Sequence, residues 1–503
     1  MGIHGHGIHL IYSEPHLHQQ YYGCSERYAK RRVWHFIPRG HHHRHNSVDQ
    51  QHESVKRKWT CCCNVYFSGG GGNVNTSSTV INSSIVLHTI SCRGQLVSVF
   101  FVGNSSLVNV SLLASSVALT ESQYMGITAQ LLLPNSRMMN LTITDSVLVC
   151  GFPILLQVFD FEELHIIVAH SSLTAVNSLV FGSATNCVTL VLLTLRRSSL
   201  LINDVNTTPV LNSVHGSTAI MLGDPFYSTR ASQFLGDGAM LMAEYSTLSN
   251  DTLLTLSVAG NITLDPVLNN SPIFITSLTV SHMSHVMVRL PPHMSFGVTP
   301  SFVAIFVADV IITTGSALTI TSINNNNNNN DNSGDPASTS SSAMLIWPNR
   351  VVLVINTSIS IGSMLTLSSL EANMGPAVIT DFVKMTQCFI DRSSSLLLHN
   401  ITVRMESNIV NAPLSAIVLS ALGVSNTSLL SIRNISCLTS SQVTQSFWCI
   451  LFDASTVSHD SLAIVRSSSQ STSTLLVSNT FFENSFLNVS HYWSEQQHRQ
   501  CHG

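Results

Sequence analysis

Residues 394–403 read SSLLLHNITV, and residues 427–436 read TSLLSIRNIS. Both run from small hydroxyls through aliphatics and a short polar step to Asn, an aliphatic residue and then Ser or Thr, and NSSLVNVSLL at 104–113 follows the same scheme. The first two stretches begin 33 residues apart and Asn109 and Asn140 lie 31 apart, whereas other intervals keep no single period. A strand-and-turn unit of this length cannot bury its apolar face alone, so its recurrence predicts coils that stack on one another.

Alternation along the chain supports strands. NITVRMES (400–407) sets Ile401, Val403 and Met405 on one face with Thr402, Arg404 and Glu406 on the other. NLTITDSVLV (140–149) likewise groups Leu141, Ile143, Val147 and Val149, broken at Asp145. TLVLLTL (189–195) is apolar on both faces, as in a deeply buried strand. Only 10% of residues are charged, against about 25% in ordinary soluble domains. Ser and Thr, nearly a quarter of the chain, must therefore supply much of the solvated surface. Hydroxyls and amides suit a β surface better than a helical one, because they compete with the helical backbone for hydrogen bonds. In this reading FVGNSSLVNVSLLASSVALT (101–120) is a strand, a turn and a strand, with aliphatics inward and Ser and Asn outward. The expected fold is all-β, a right-handed parallel β-helix or β-solenoid of the pectin-lyase-like kind with an irregular N-terminal segment. Irregular spacing keeps tandem β-sandwiches as the alternative.

Composition divides the chain. Residues 1–67 form a His/Arg-rich irregular or disordered segment; up to residue 58 it carries nine Lys or Arg, four acids and eleven of the 23 histidines. Its character is foreign to the body, and mispredicted or out-of-frame sequence joined to a genuine body is the preferred explanation. HHHRH (41–45) reads as a solvated tail, with a transition-metal site through neutral imidazoles as the alternative, and CCC (61–63) lacks the paired ligand spacing of a zinc site. Residues 68–323 read as the first part of a solenoid, 324–342 as a poly-Asn low-complexity loop, 343–490 as the second part and 491–503 as a disordered tail. From residue 59 onward there are thirteen Lys or Arg, Lys384 being the sole lysine, against 22 acids. That net charge of −9, with His neutral, excludes a nucleic-acid surface on the body.

Location is read from three features. The N-terminus has no uninterrupted apolar run of the kind a secretory signal needs, and MGIHGH places His6 where myristoylation wants Ser or Thr. SFVAIFVADVIITTGSALTI (301–320) comes nearest to a membrane span but carries Asp309. Against these stand fourteen Asn-x-Ser/Thr sequons, at Asn75, Asn82, Asn104, Asn109, Asn140, Asn206, Asn250, Asn261, Asn269, Asn356, Asn400, Asn426, Asn434 and Asn488. Composition alone would supply about eight or nine. Six have the form Asn, aliphatic, Ser/Thr, which in a strand points Asn and hydroxyl to one face and the aliphatic to the other. These asparagines are either glycan acceptors or simply the material of the wet face. The expectation is a cell-surface or secreted protein if the chain is a fragment of a longer one, with membrane association only through parts outside it.

Chemistry is sparse. No P-loop, dinucleotide fingerprint, HExxH or Gly-x-Ser-x-Gly occurs, and no cofactor or metal is called for. ITDFVKMTQCFIDR brings Asp381, Lys384, Asp391 and Arg392 close in sequence, at spacings that fit no single strand face. FDFEEL (159–164) gathers Asp160, Glu162 and Glu163, as an exposed strand edge or a weak cation site. His282 and His285 read as strand histidines. Six body cysteines, Cys92, Cys150, Cys187, Cys388, Cys437 and Cys449, leave the disulfide connectivity open.

The repeated SSLL…N-[IV]-[ST] segments, the poly-Asn tract and the near absence of lysine resemble the large families of membrane-associated surface proteins of kinetoplastid protists, including the trypanosome dispersed gene family, over about residues 68–490. The resemblance implies a long secreted β-helical ectodomain, with membrane spans towards the C-terminus that this chain does not show. The expected function is a non-enzymatic surface-associated or secreted structural, adhesion-type protein whose partners are carbohydrate or ligands on a host or neighbouring cell. The alternative is a carbohydrate-active β-helix enzyme of the lyase or hydrolase kind, an analogy from fold alone.

Overall fold

The computed structural model describes residues 9–12, 65–68, 78–93, 100–103, 105–120, 125–130, 136–150, 152–157, 160–175, 188–191, 194–209, 220–222, 241–258, 262–263, 273–290, 294–295, 303, 305–322, 346–347, 352–374, 381–405, 415–439, 448–469 and 475–491. All of its regular elements are β-strands, and they wind into a parallel β-solenoid. One sheet of fourteen strands, from Val65–Ser68 to Leu475–Ser478, stacks in chain order, a sheet of 28 strands makes up most of the rest, and Ile262–Thr263 pairs with Met294–Ser295 in a two-stranded sheet.

One coil shows the plan. Val383–Thr386 lies in the first sheet, Phe389–Ile390 makes a short strand after a corner, and Ser395–Met405 makes a long strand after a second corner. The next coil repeats this with Ser415–Ser420, Gly423–Val424 and Leu429–Thr439. The two recurring stretches of sequence are thus the long strands of successive coils. Their register pairs Leu396 with Leu430 and Ile401 with Ile435, a step of 34 residues. The likeness of 104–113 is only local: Asn109 bends the chain at the corner that Asn426 occupies, whereas Asn400 and Asn434 stand one corner further on.

Parallel strands buried on the inner side need aliphatic side chains there. Leu396, Leu398, Ile401 and Val403 are buried, as are Leu430, Ile432 and Ile435 in the coil that follows. The stretch 101–120 holds three strands rather than two, since Phe100–Gly103, Ser105–Ser115 and Ala118–Thr120 belong to three faces of one coil. TLVLLTL is divided between Val188–Val191 in the first sheet and Thr194–Arg196 in the other. Coils on either side of the poly-Asn segment pair directly, Ile305 with Val352 and Ala317 with Met364. Among the described strands the exception to parallel pairing is His9–Tyr12, which runs antiparallel to Ser83–Val86.

Corners depend on the left-handed backbone. The first corner of successive coils falls at Tyr245, Ser277, Asp309, Asn356, Gln387, Ala421, Ala454 and Asn479, all at positive φ. At the second, from Asn250–Asp251 to His459–Asp460, two left-handed residues follow one another in seven successive coils. Asn adopts this conformation at low cost because its short side chain hydrogen-bonds locally. Asp145, another such corner, explains a departure from simple alternation. Leu141 and Ile143 face the core as expected, but the corner shifts the phase, so that Leu148 and Cys150 are buried while Val147 is exposed.

The serines depart furthest from expectation. Ser198, Thr252, Ser284, Ser316, Ser363, Ser394, Ser428 and Ser461 point into the solenoid directly after the second corner, and each is buried. The N–H of Thr252 donates to Ser284 Oγ at 3.1 Å, that of Ser284 to Ser316 Oγ at 3.1 Å, that of Ser316 to Ser363 Oγ at 3.2 Å, and that of Ser363 to Ser394 Oγ at 3.2 Å. Ser394 and Ser428 continue the ladder to Ser428 and Ser461. A buried N–H without an acceptor would cost about 1–3 kcal/mol. The hydroxyls are here because the corner leaves a donor facing inward, where water cannot serve it.

Candidate functional site

The face built from the short strands carries the candidate site. In register along the axis stand Ser358, Phe389, Gly423 and Thr456, and two residues further on in each coil stand Ser360, Asp391, Ser425 and Ser458. Between these columns lies a groove of about 560 Å³, lined by Ser358, Ser360, Phe389, Asp391, Arg392, Gly423, Ser425 and Asn426.

Two features shape it. Phe389 begins a two-residue strand in which Ile390 must face the core, so its own ring faces out and is 54% exposed. Beside it the next coil has glycine: a Cβ on Gly423 would meet Phe389 Cδ1 at 3.0 Å and Cε1 at 3.5 Å. The absent side chain lets the ring lie along the sheet surface. Asp391 closes one side. Ser425 Oγ donates to its Oδ1 at 2.8 Å, Asn426 Nδ2 donates to the same oxygen, and Arg392 Nε lies 3.4 Å from Oδ2. Partial burial works against the carboxylate's charge, but the hydrogen bonds from Asn426, Ser425 and the Arg392 backbone, with the Arg392 charge, outweigh it and hold the pKa below the ordinary aspartate value. The result is a fixed, ionised acceptor beside a flat apolar ring.

Of the four charged residues close in sequence here, the fold brings together Asp391 and Arg392; Lys384 lies in the first sheet, one corner away. Glu162 and Glu163 do not form a cation site. Arg197 of the next coil meets them, its Nη1 3.2 Å from Glu162 Oε1 and 3.9 Å from Glu163 Oε1. No group of three or more metal-ligating side chains occurs among the described residues. His282 is a corner residue and not a strand histidine, exposed like His285, with buried Ser284 between them.

The sequons sort by corner. Asn82, Asn109, Asn250, Asn356, Asn400, Asn426 and Asn434 all take left-handed φ values. Asn140 and Asn488 are exposed within strands. Asn206 lies in Ser199–Pro209, with its side chain outside the description, and Asn75, Asn104, Asn261 and Asn269 lie outside the described residues. Ladders join several across coils: Asn109 Nδ2 donates to Asn82 Oδ1 at 2.9 Å, Asn434 Nδ2 to Asn400 Oδ1 at 3.0 Å, and Asn356 Nδ2 to Asp309 Oδ1 at 2.7 Å. At Asn250 and Asn426 the sequon hydroxyls, on Thr252 and Ser428, belong to the buried ladder. There the tripeptide pattern follows from the geometry of the corner.

Cys437 and Cys449 form a disulfide that ties the long strand Leu429–Thr439 to Trp448–Asp453 of the next coil. Cys150 and Cys388 are buried, and burial, opposed by backbone hydrogen bonds at Thr357 and Thr386, pushes the Cys388 thiol up to about 11. Such a thiol is inert. The HHHRH, CCC and poly-Asn stretches lie outside the described residues.

Sequence reasoning missed Phe389, Ser358, Ser360 and Gly423 because they meet across coils rather than along the chain. The signal that would have found them is the coil period, which aligns 358, 389 and 423. No protein-family model matches this chain and no curated protein matches it, so its function is argued from the fold and this site.

Proposed function

We propose that this chain is a non-enzymatic surface-associated or secreted structural protein of the adhesion type, a stiff β wall that presents and binds rather than transforms. The observation that carries the reading is the Cys437–Cys449 disulfide, with both cysteines fully buried inside the solenoid. Disulfides persist in oxidising compartments and are rare in the cytosol of mesophiles. Exposed sequon asparagines at Asn82, Asn109, Asn140, Asn356, Asn400, Asn434 and Asn488 support the same location, because each lies at the surface. Stacked coils provide the long continuous surfaces that solenoids use for binding. The resemblance to kinetoplastid surface proteins points the same way. Glycoside hydrolysis would need a second carboxyl group facing Asp391, and Asp391 is the one carboxylate among the residues lining the groove.

Peptide mapping of the endogenous protein under non-reducing conditions, before and after peptide N-glycosidase, tests the reading. The expected result is a linked Cys437–Cys449 peptide and conversion of several sequon asparagines to aspartate. Free thiols at both cysteines in an unglycosylated protein would overturn it.

A further inference from the structure

We infer that the groove over Phe389, bounded by Asp391, Arg392 and Asn426, is a binding site for a neutral, extended oligosaccharide lying along the solenoid axis. The inference deepens the adhesion reading by naming a ligand class, but it rests on the geometry of this one groove.

A pyranose presents two different surfaces, a patch of C–H bonds on each ring face and hydroxyls around the rim. Phe389 answers the first. Its ring, more than half exposed, lies along the sheet surface over Gly423, and an aromatic face attracts C–H groups through dispersion and weak hydrogen bonding. Covering such a ring removes apolar surface from water, a favourable term at about 25 cal/mol per Å².

The rim is answered by Asp391. Ser425 and Asn426 both engage Oδ1, so the carboxylate is oriented before any ligand arrives. A carboxylate has about four acceptor positions on its two oxygens, and its remaining capacity suits sugar hydroxyls, which are donors. Arg392, whose side chain is 67% exposed, and the Ser358 and Ser360 hydroxyls supply donors and acceptors around it. A few fixed polar groups around an apolar platform is the general plan of a small-molecule site.

Charge selects the neutral class. Asp391 and Arg392 offset one another within the groove, while the body as a whole is acidic. A polyanionic glycan would meet net repulsion and a guanidinium already turned to its own carboxylate. Orientation follows from the columns. Ser358, Phe389 and Gly423 repeat once per coil along the axis, about 4.8 Å apart, a distance comparable with the length of one hexopyranose unit in an extended chain. A ligand along the axis meets equivalent positions in successive coils, whereas one running around the coil would meet the corner at Arg392.

The test uses the purified full chain with cellohexaose, xylohexaose and mannohexaose as probes, read by saturation-transfer NMR and calorimetry. At least one should bind with Kd of about 1 mM or tighter. Phe389→Ala and Asp391→Asn should each weaken it by about tenfold or more, with the circular dichroism spectrum unchanged. Phe486→Ala, on an exposed ring of the long-strand face and outside the groove column, should leave binding as it is. No response from any probe up to about 10 mM, binding that survives both groove substitutions, or binding confined to a sulfated glycan would each overturn the inference. Failure here leaves the disulfide and glycan mapping untouched, and failure there leaves the groove, because the two experiments read different atoms.

Discussion

One solenoid builds its second corner in two ways. From Asn109 to Glu163 a single left-handed residue bends a strand that otherwise runs on, and the residues turned inward behind it are apolar: Val110, Met139 and Leu164. From Asn250 onward two left-handed residues in succession break the strand, and the residue turned inward is Thr252, Ser284, Ser316, Ser363, Ser394, Ser428 or Ser461. Arg197 marks the transition, a single left-handed residue followed by Ser198, whose Oγ accepts from Leu164 N–H at 3.0 Å and donates to Arg196 O at 2.8 Å. The comparison teaches that the interior residue is chosen by the backbone donor beside it. Where the ladder runs through, as between Val110 and Met139, dispersion and burial suffice. Where the corner leaves a buried N–H facing inward, as at Leu164 and Ser198 and then at each two-residue turn, the equivalent position in the next coil needs an acceptor.

The largest effect should come from emptying the apolar version of the corner. Met139→Ala should destabilise the protein by about 2–5 kcal/mol, read as a fall in the urea midpoint. Next comes the hydroxyl version. Ser363→Ala removes little volume but orphans the Ser316 N–H, at a cost of about 1–3 kcal/mol. Ser363→Thr should recover most of that loss, since Thr252 occupies the equivalent position in another coil. If Ala were tolerated as well as Thr, the donor argument would be wrong. A smaller effect of opposite sign is expected at Ile361, a β-branched, exposed residue held at φ +56°. Ile361→Asn should stabilise by about 1 kcal/mol, because a left-handed conformation costs an ordinary side chain about 1–2 kcal/mol.

One further effect emerges only at alkaline pH. The Cys388 thiol has its pKa raised from 9.0 to about 11 in the folded chain. A group raised on folding contributes stability that is complete below its unfolded pKa and is lost as pH climbs through the folded one. Thermal midpoints should therefore fall between about pH 9 and 11, and Cys388→Ala should flatten that slope relative to its own value at pH 7.

Much of the fold is legible in particular residues. Leu396, Leu398, Ile401 and Val403 alternate with outward residues in the sequence as they do in the structure, and Asn400 and Asn434 mark equivalent corners. The fate of the serines is not legible, because one residue type serves two environments. Ser425 faces the groove and holds Asp391, while Ser428, three residues later, is buried and receives a backbone N–H. Nothing local separates them; the phase of the chain through the intervening corner does. The groove is illegible for a related reason, since its ring, its glycine and its carboxylate become neighbours only when coils 31 to 34 residues long are laid on one another.

The amino-acid sequence by itself determined that this protein is built of strands, because period-two aliphatics and a hydroxyl-rich, charge-poor exterior satisfy a pleated wall and leave a helix without its usual surface. It also marked many corners, through the tolerance of Asn for the left-handed backbone. Only the tertiary structure decided which hydroxyls are buried, which cysteines join and which side chains share a groove. Each of these is a relation between residues in different coils, and stacking, rather than adjacency along the chain, sets the distance between them.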